Sequence, residues 1–552
     1  MEKIWLKNYP EGVPAEINPD AYSSLVELLE QSCDKYKDQP ALRNLGCQLT
    51  YRQVTQLSRA FAAYLQQTLK LKKGDRIALM MPNILQYPIA LFGALQAGLV
   101  IVNVNPLYTT PELVHQINDA KTDTIVVLAN FTAVVQRALS QTQLKNIIVT
   151  EIADLCSWPK SMLINFVVKY IKHLVPLRAI PRALSFKKIL AEGSKLSFTP
   201  VVVNGSDIAF LQYTGGTTGI VKGAMLTHRN MVANVEQVLA WIRPVLTEGK
   251  EVVITAIPMY HIFSLTSSCL TFLRFGGLNV LITNPRDIPG MVAELAKVPF
   301  TVIPAVNTLF NALANNLNFS KLDFSTLKIA LGGGAAVQHA VADQWKKITG
   351  KSLLEGYGLT EASPVVCAAP LNLPAYNGSI GLPFPSTDIS IRNEEGEELA
   401  LGEVGELCVK GPQVMLGYWN NPEETKNVLS ADGWLRTGDI VRMDEDGFIY
   451  IIDRKKDMIL VSGFNVYPNE VEDVIASHPG VFEVAVIGVA DAATGEAVKA
   501  FVVKKDPNLT SEELKAFCRE RLTGYKRPKY IEFRSSLPKT NVGKILRRAL
   551  RE

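Results

Sequence analysis

The sequence predicts an α/β protein: a large N-terminal domain of parallel-sheet αβ subdomains, a small β-rich subdomain over about 381–453, and a separate small α+β domain at the C-terminus. Three observations predict it. Strand-like and helix-like periods alternate through most of the first 350 residues, the pattern of parallel strands with helices on their faces. From about Gly381 the texture changes to short strands divided by Gly, Asp and Pro turns. After the string DRKKD (453–457) comes a final stretch of domain size with its own apolar pattern, which divides the chain into 1–455 and 456–552.

In chain order, 75–81 (DRIALMM) reads as a short buried strand, 87–97 as an apolar helix and 100–104 as the next strand. Residues 124–128 and 146–150 continue the strand series, and 208–212 leads into a glycine-rich loop with a helix beginning near His228. In the β-rich part, GEVGELCVKG and MDEDGFIYIIDR are strand–turn–strand strings. The last domain offers strands at 484–488, 498–503 and 530–533 and helices at 469–476 and 511–522.

Composition bounds the function. Apolar residues make up 47% and charged residues 20% of 552, ordinary globular usage that excludes a disordered, collagen-like or coiled-coil chain. A net charge of +4 is too small over this length for a nucleic-acid coat. Seven cysteines (33, 47, 156, 269, 367, 408, 518) are scattered without a CxxC pair, so reduced thiols in a cytoplasm are expected. No apolar core of signal-peptide length precedes Pro10. The longest apolar run, 90–104, is broken by Gln96, two glycines and Asn103, too short for a membrane span. One segment stands out by charge: 160–188 carries seven Lys or Arg and no Asp or Glu, among Leu, Ile, Phe, Val and Tyr. It reads either as a solvated helix pair broken at Pro176 and Pro181, or as an amphipathic patch touching an anionic membrane from the cytoplasmic side.

Four constellations can carry chemistry. The strongest is YTGGTTGIVKG (213–223): glycines let backbone N–H groups converge on an anion, threonines add hydroxyls, and Lys222 adds a countercharge. Its plain alternative is a turn. It lacks the Walker A spacing, and Lys544 after Gly543 is followed by Ile545. No GxGxxG fingerprint occurs either, since Glu361 stands where a third glycine would follow Gly356 and Gly358. The second is EGYGLTEAS (355–363), where Tyr357 and its flanking glycines can frame a planar base and Thr360 and Glu361 offer oxygens to a hard cation. It also reads as a strand-end turn. The third is WLRTGD (434–439) with Asp453 and Arg454: a carboxylate such as Asp439 can accept both hydrogens of a ribose diol, and an Arg can grip phosphate. A surface ion pair is the bland reading. The fourth is the basic PKTNVGKILRR (538–548), in which Lys544 by itself is an ordinary solvated lysine.

Together these strings resemble the ordered core motifs of the adenylate-forming enzymes: TGGTTG, YGLTE, W-x-x-T-G-D, D-R-x-K-D and a terminal P-K-x-x-x-G-K. The strings VNVNPLYT, EGYGLTE, MILVSGFNVYPNEVE and LTGYKRPK are similar to bacterial long-chain fatty-acyl-CoA synthetases within that superfamily. The resemblance spans nearly the whole chain and implies a β-barrel-like character for the β-rich subdomain and mobility for the C-terminal domain. It implies that Thr214, Gly215, Gly216, Thr217, Thr218 and Gly219 wrap the β- and γ-phosphates of ATP with Lys222 beside them. Gly334, Ala335, Gly356, Tyr357 and Gly358 would line adenine, with Thr360 beside them; Asp439 would hold the ribose hydroxyls with help from Arg454. Thr214 and Glu361 would hold Mg²⁺, and His261 would sit beside the fatty-acid carboxylate. Lys544 would reach the attacking carboxylate and the α-phosphate, Lys456 would be the hinge, and Gly463 would line the pantetheine channel of CoA. Some thermophilic relatives carry a gating Trp soon after the His; here the residues are Ile262, Phe263, Ser264 and Leu265, so the gate is unassigned.

The implied chemistry explains the residue types. A carboxylate attacking the α-phosphate brings anion to anion, so both need cation cover. It is ionised at neutral pH and needs no general base. The acyl-AMP must then be kept from water until the CoA thiol displaces AMP. Using Lys544 in the first step and removing it for the second implies rotation of the last domain about Lys456. An alternative keeps the adenylating core but hands the acyl group to a carrier protein; thioester formation with free CoA separates the two. A non-catalytic nucleotide or fatty-acid binder has no need of Lys544, Asp439 and Glu361 together. An unrelated ATPase would release phosphate without a carboxylic acid.

Overall fold

The computed structural model describes residues 2–176, 180–215, 221–454 and 456–551. Two large sheets organise the N-terminal domain. In the first, Val100–Asn103, Arg76–Met80, Thr124–Leu128, Asn146–Thr150 and Leu184–Ser185 run parallel, and Ile208–Gly215 joins parallel to Val100–Asn103. Val221–Thr227 and Gly417–Tyr418 close its edge antiparallel. The second sheet has a parallel centre, running from Leu353–Gly358 through Ile329–Gly333, Val302–Ala305, Val252–Thr255 and Leu278–Leu281 to Pro40–Asn44, with antiparallel strands at both rims.

The apolar run at 90–104 is explained by packing. Its helix, Gln86–Gln96, has every residue buried, so apolar side chains face inward all round. The expected strand follows at Val100–Asn103. The helix His228–Ile242 is likewise almost wholly buried, and it starts on a capping box between Thr227 and Asn230. Several strands lie outside the sequence expectations, most of the second sheet among them; the one that bears on the glycine-rich loop is Val221–Thr227, which pairs antiparallel with Ile208–Gly215. The glycine loop therefore joins two strands of a hairpin and does not lead straight into a helix.

The β-rich part is an antiparallel meander, Asp388–Arg392, Gly405–Lys410, Leu435–Met443 and Ile449–Arg454, tied to the second sheet through the bridge Gly381↔Ile449. The last sheet pairs Val481–Asp491 with Gly495–Lys504, and Tyr530–Arg534 joins the latter in parallel. Pro468–Ala476 and Ser511–Arg521 pack on it through Val471, Ile475, Leu514 and Cys518.

Two expectations need correction. The cysteines are not all free: Cys47 and Cys156 form a disulfide across 109 residues of sequence, because the fold brings the Cys47–Thr50 strand beside the loop that follows Asn146–Thr150. Cys33, Cys269, Cys367, Cys408 and Cys518 are free and buried. The basic segment is not a helix pair interrupted only at its prolines. An α-helix, Lys160–Phe166, runs on as a π-helical turn, Val167–Ile171, and the next helix begins only at Phe186. Among the described residues no helix is long and apolar enough to cross a membrane.

Candidate active site

A cavity of about 1430 Å³ lies where the two large sheets, the β-rich meander and the C-terminal domain meet. Thr214, Lys222, His261, Gly334, Ala335, Gly356, Tyr357, Gly358, Thr360, Glu361, Asp439, Arg454, Lys456 and Lys544 all line it. Side chains 330 positions apart in sequence thus share one space. Gly215 ends the strand Ile208–Gly215, while Gly216, Thr217, Thr218 and Gly219 lie outside the described residues. Gly463 does not join them: it sits at φ +84° in the exposed turn between Ile459–Val461 and Phe464–Val466, with nothing within 4 Å of a Cβ placed there.

The polar floor is built on neighbouring strands. Asp439 and Arg454 are register partners on Leu435–Met443 and Ile449–Arg454, and Arg454 Nε lies 3.2 Å from Asp439 Oδ1. The other carboxylate oxygen, Oδ2, accepts from the Tyr357 hydroxyl at 2.6 Å. Burial and the Asp439 charge hold the Tyr357 phenol well above its ordinary range, so it stays a donor. Its position against Asp439 fixes the ring that ends Leu353–Gly358. Close packing explains the glycines. A Cβ on Gly358 would fall 2.2 Å from the Pro364 carbonyl oxygen, and one on Gly334 (φ +78°) would fall 2.8 Å from Lys544 Cε.

Lys544 enters from the C-terminal domain on a tight turn in which the Thr540 N–H donates to the Lys544 carbonyl at 2.7 Å. Thr308 Oγ1 of the N-terminal domain donates to the Gly543 carbonyl at 2.7 Å and clamps that turn. Burial and the Arg454 charge lower the Lys544 amine to about 8, against the opposing pull of Asp439. His261 begins the short helix Ile262–Ser264, with Nδ1 accepting from the Phe263 N–H at 3.3 Å. Burial, then the Lys544 charge, lower it to about 3, so it is a neutral imidazole whose Nδ1 is engaged in that bond.

Lys222 is paired with Glu424 of the helix Pro422–Val428 and lies 5.4 Å over the Tyr418 ring. The Tyr418 hydroxyl donates to Glu361 Oε1 at 2.7 Å. The Thr214 hydroxyl and the Glu361 carboxylate are oxygen donors suited to a hard divalent cation. Among the described residues no group of three or more His, Cys, Asp or Glu could hold a metal. A cation here would take its remaining ligands from phosphate and water, which is the habit of Mg²⁺. The cavity also has apolar lining, with Val238, Trp241, Ile242, Phe272 and Phe384 among its walls. Trp241 is pinned by a 3.2 Å bond to the Ala369 carbonyl and by ring contacts to Tyr9 and Phe384.

Several groups here have no role of their own in the sequence reading, although Asp453 is named there beside Arg454. Glu355 is buried and pushed up to about 8. Its Oε2 and the Val337 carbonyl each lie 2.7 Å from the Tyr376 hydroxyl. A protonated Glu355 satisfies both, donating to Tyr376 while Tyr376 donates to Val337. Asp473 of the C-terminal domain accepts from the backbone N–H of His339 at 3.1 Å and pairs with its ring at 3.2 Å. That caps the helix His339–Thr349, whose own N-cap Gln338 makes no side-chain bond. Asp453 accepts from the Asn469 N–H at 3.0 Å and faces Arg547 at 3.6 Å, while Arg547 also grips Glu472. Glu355 opens the EGYGLTE string and Arg547 lies in the basic terminal string, so both were within reach of the motif reading.

Residues 29–419 match the family of AMP-binding enzymes, and residues 470–544 match the AMP-binding enzyme C-terminal domain. The chain is 59% identical to a long-chain-fatty-acid–CoA ligase of Salmonella typhimurium, over 100% of this chain and 98% of that one. It is 52% identical to a long-chain-fatty-acid–CoA ligase of Haemophilus influenzae with the same coverage. Its fold matches the crystal structure of an anthranilate CoA ligase in complex with anthranoyl-AMP, with a TM-score of 0.85 and 25% identity over 97% of this chain and 98% of that one.

Proposed function

The chain belongs to the family of AMP-binding enzymes, and we propose on that premise that it joins a long-chain fatty acid to coenzyme A at the expense of ATP. The observation that carries this is the cavity itself, which is lined both by Lys544, Asp439, Tyr357 and Arg454 and by the apolar side chains of Val238, Trp241, Ile242, Phe272 and Phe384. Likeness to the fatty-acid–CoA ligases over the full chain names the substrates.

The reaction runs in two steps. A carboxylate oxygen attacks the α-phosphorus of ATP, the bond to the pyrophosphate oxygen breaks, and acyl-AMP and pyrophosphate result. The CoA sulfur then attacks the acyl carbon, the bond to the AMP oxygen breaks, and the thiol proton is lost. Lys544, charged below about pH 8, covers the α-phosphoryl and carboxylate oxygens. Neutral His261 adds no charge beside the acid, and Asp439 with Arg454 holds the ribose. Lys222 and the loop around Gly216 hold the outer phosphates. Thr214 and Glu361 would hold Mg²⁺, which screens the phosphate charge when bound. The last domain turns about Lys456 between the steps, withdrawing Lys544 and bringing Gly463 to the CoA channel. We place the reaction in the cytoplasm, in reversible contact with a lipid surface.

Pyrophosphate and AMP release, measured across a chain-length series of acids with and without CoA, tests the reading. Release that needs an acid, rises toward long chains and yields acyl-CoA with free CoA is expected. Phosphate release without an acid, or an acyl product only with a carrier protein, overturns it.

A further inference from the structure

We propose that the exposed helical face around Trp158–Ile171 is the surface by which this protein docks on an anionic lipid bilayer. It rests on the lipid contact of the functional reading above and adds to the charge of segment 160–188 the side chains that the fold leaves exposed. Trp158, Met162, Leu163, Phe166, Tyr170 and Ile171 are all more than half exposed, Trp158 at 77%. They crowd one side of a continuous helical run, Lys160–Phe166 and Val167–Ile171, of about 18 Å at 1.5 Å per residue. The Phe166 and Tyr170 rings lie 5.2 Å apart on that side. The opposite side is fastened to the body: Ser161 is buried, Ile164 packs on the main core, and Asn165 Oδ1 accepts from the Ala153 N–H at 3.0 Å. A soluble helix places its apolar face inward; this one presents it outward.

Charge selects the occupant. The segment 160–188 carries seven basic residues and no acidic one. Lys172, Arg182, Lys187 and Lys188 are exposed, and Lys169 rests 5.3 Å from the Tyr170 ring. Glu151 and Asp154, which feel the Lys187 charge, lie on the body side, and burial pushes both up toward the neutral acid. A second copy docked through the same face would set these cations against their own kind, as a two-fold contact requires. An anionic bilayer offers acyl chains to the aromatic and aliphatic side chains and phosphate to the rim of lysines. The helix would lie in the headgroup plane, where a partitioned fatty acid is at hand.

The test uses the full-length protein and vesicles of phosphatidylcholine with and without phosphatidylglycerol, at low salt. Co-sedimentation only with the anionic vesicles is expected. Met162, Phe166 and Ile171 changed together to Ser, or Lys169, Lys172, Arg182 and Lys187 changed together to Gln, should each weaken it about tenfold or more. Both variants should keep wild-type turnover of a short, water-soluble acid, which controls for folding and for the reaction. Brominated lipid should quench Trp158 fluorescence, and Trp158→Phe should remove that fraction of the quenching. Wild-type binding equal on neutral and anionic vesicles, unchanged binding in both variants, or no quenching at Trp158 overturns the proposal. A wild-type dimer that the Ser variant converts to monomer, without vesicle binding, also overturns it in favour of self-association.

Discussion

The two walls of the cleft are held in place by different means. Tyr357 and Asp439 stand on sheet strands held by hydrogen-bonded neighbours and by the large core, and they bond each other at 2.6 Å. Lys544 stands on a turn of another domain. That domain meets the body through a few separate ties: Thr308 to Gly543, Asn311 Nδ2 to the Phe482 carbonyl at 2.8 Å, His339 to Asp473, and Asp453 to Asn469 and Arg547. Each tie is a hydrogen bond or ion pair with polar groups at both ends. The nucleotide wall is therefore built in, and the lysine is delivered.

Mutations on the two walls should differ in the half-reactions they affect. Lys544→Ala should cost on the order of 3–4 kcal/mol in acyl-AMP formation, two to three decades in rate, and spare thioester formation from supplied acyl-AMP. Equal loss in both halves would put Lys544 on the built-in wall. The same lysine gives a pH signature: its amine, lowered to about 8, is charged below that pH and loses charge above it, so acyl-AMP formation should decline through pH 8 while the thioester half does not share that limb. Lys456→Pro should leave acyl-AMP formation mostly intact and block the second half, since proline fixes φ near −65° where a hinge must turn. Unchanged overall turnover rules out a hinge there.

On the built-in side, Asp439→Ala removes the acceptor of a buried phenol and the partner of Arg454. About 2 kcal/mol is expected, close to thirtyfold, and in both half-reactions alike because AMP is held throughout. A loss confined to one half would refute a ribose role. The smallest effect belongs to the tie at the helix start. Asp473→Asn weakens an ion pair that is half exposed, worth roughly 0.5–1 kcal/mol, so a few-fold drop in acyl-AMP formation alone is expected. Its pH sense follows from His339, whose pKa is raised, chiefly by its hydrogen bond to Asp473. The tie is complete below the ordinary histidine range near 6.5 and is lost as pH rises through the raised value, and Asp473→Asn should flatten that dependence. A variant as pH-sensitive as the wild type would assign the limb elsewhere.

What local pattern governs was legible. The strands Thr124–Leu128 and Asn146–Thr150 lie where β-branched runs put them, and the buried helix Gln86–Gln96 stands one residue from its reading. The motif residues, dispersed from Thr214 to Lys544, could be named only because the strings together resemble the adenylate-forming enzymes; taken singly, most read as turns or solvated charges. What docking governs was not legible. No periodicity tells that Asp473 caps a helix 134 residues away, or that Cys47 meets Cys156. The strand Val221–Thr227 was hidden because Lys222 and Gly223 interrupt its apolar run at the start. The exposed side of Lys160–Phe166 was half legible: charge marked it, but only the fold tells which of its apolar residues face out.

The delivery of Lys544 can be watched directly by labelling its amine. In the cleft the amine is buried, and its label is read by mass spectrometry of the terminal peptide. With fatty acid and a non-hydrolysable ATP analogue bound, Lys544 should be protected. With a non-reactive acyl-AMP analogue and CoA bound, it should label at the rate of a solvent lysine. The same protection in both complexes would contradict the account, because the lysine would then be part of the fixed wall.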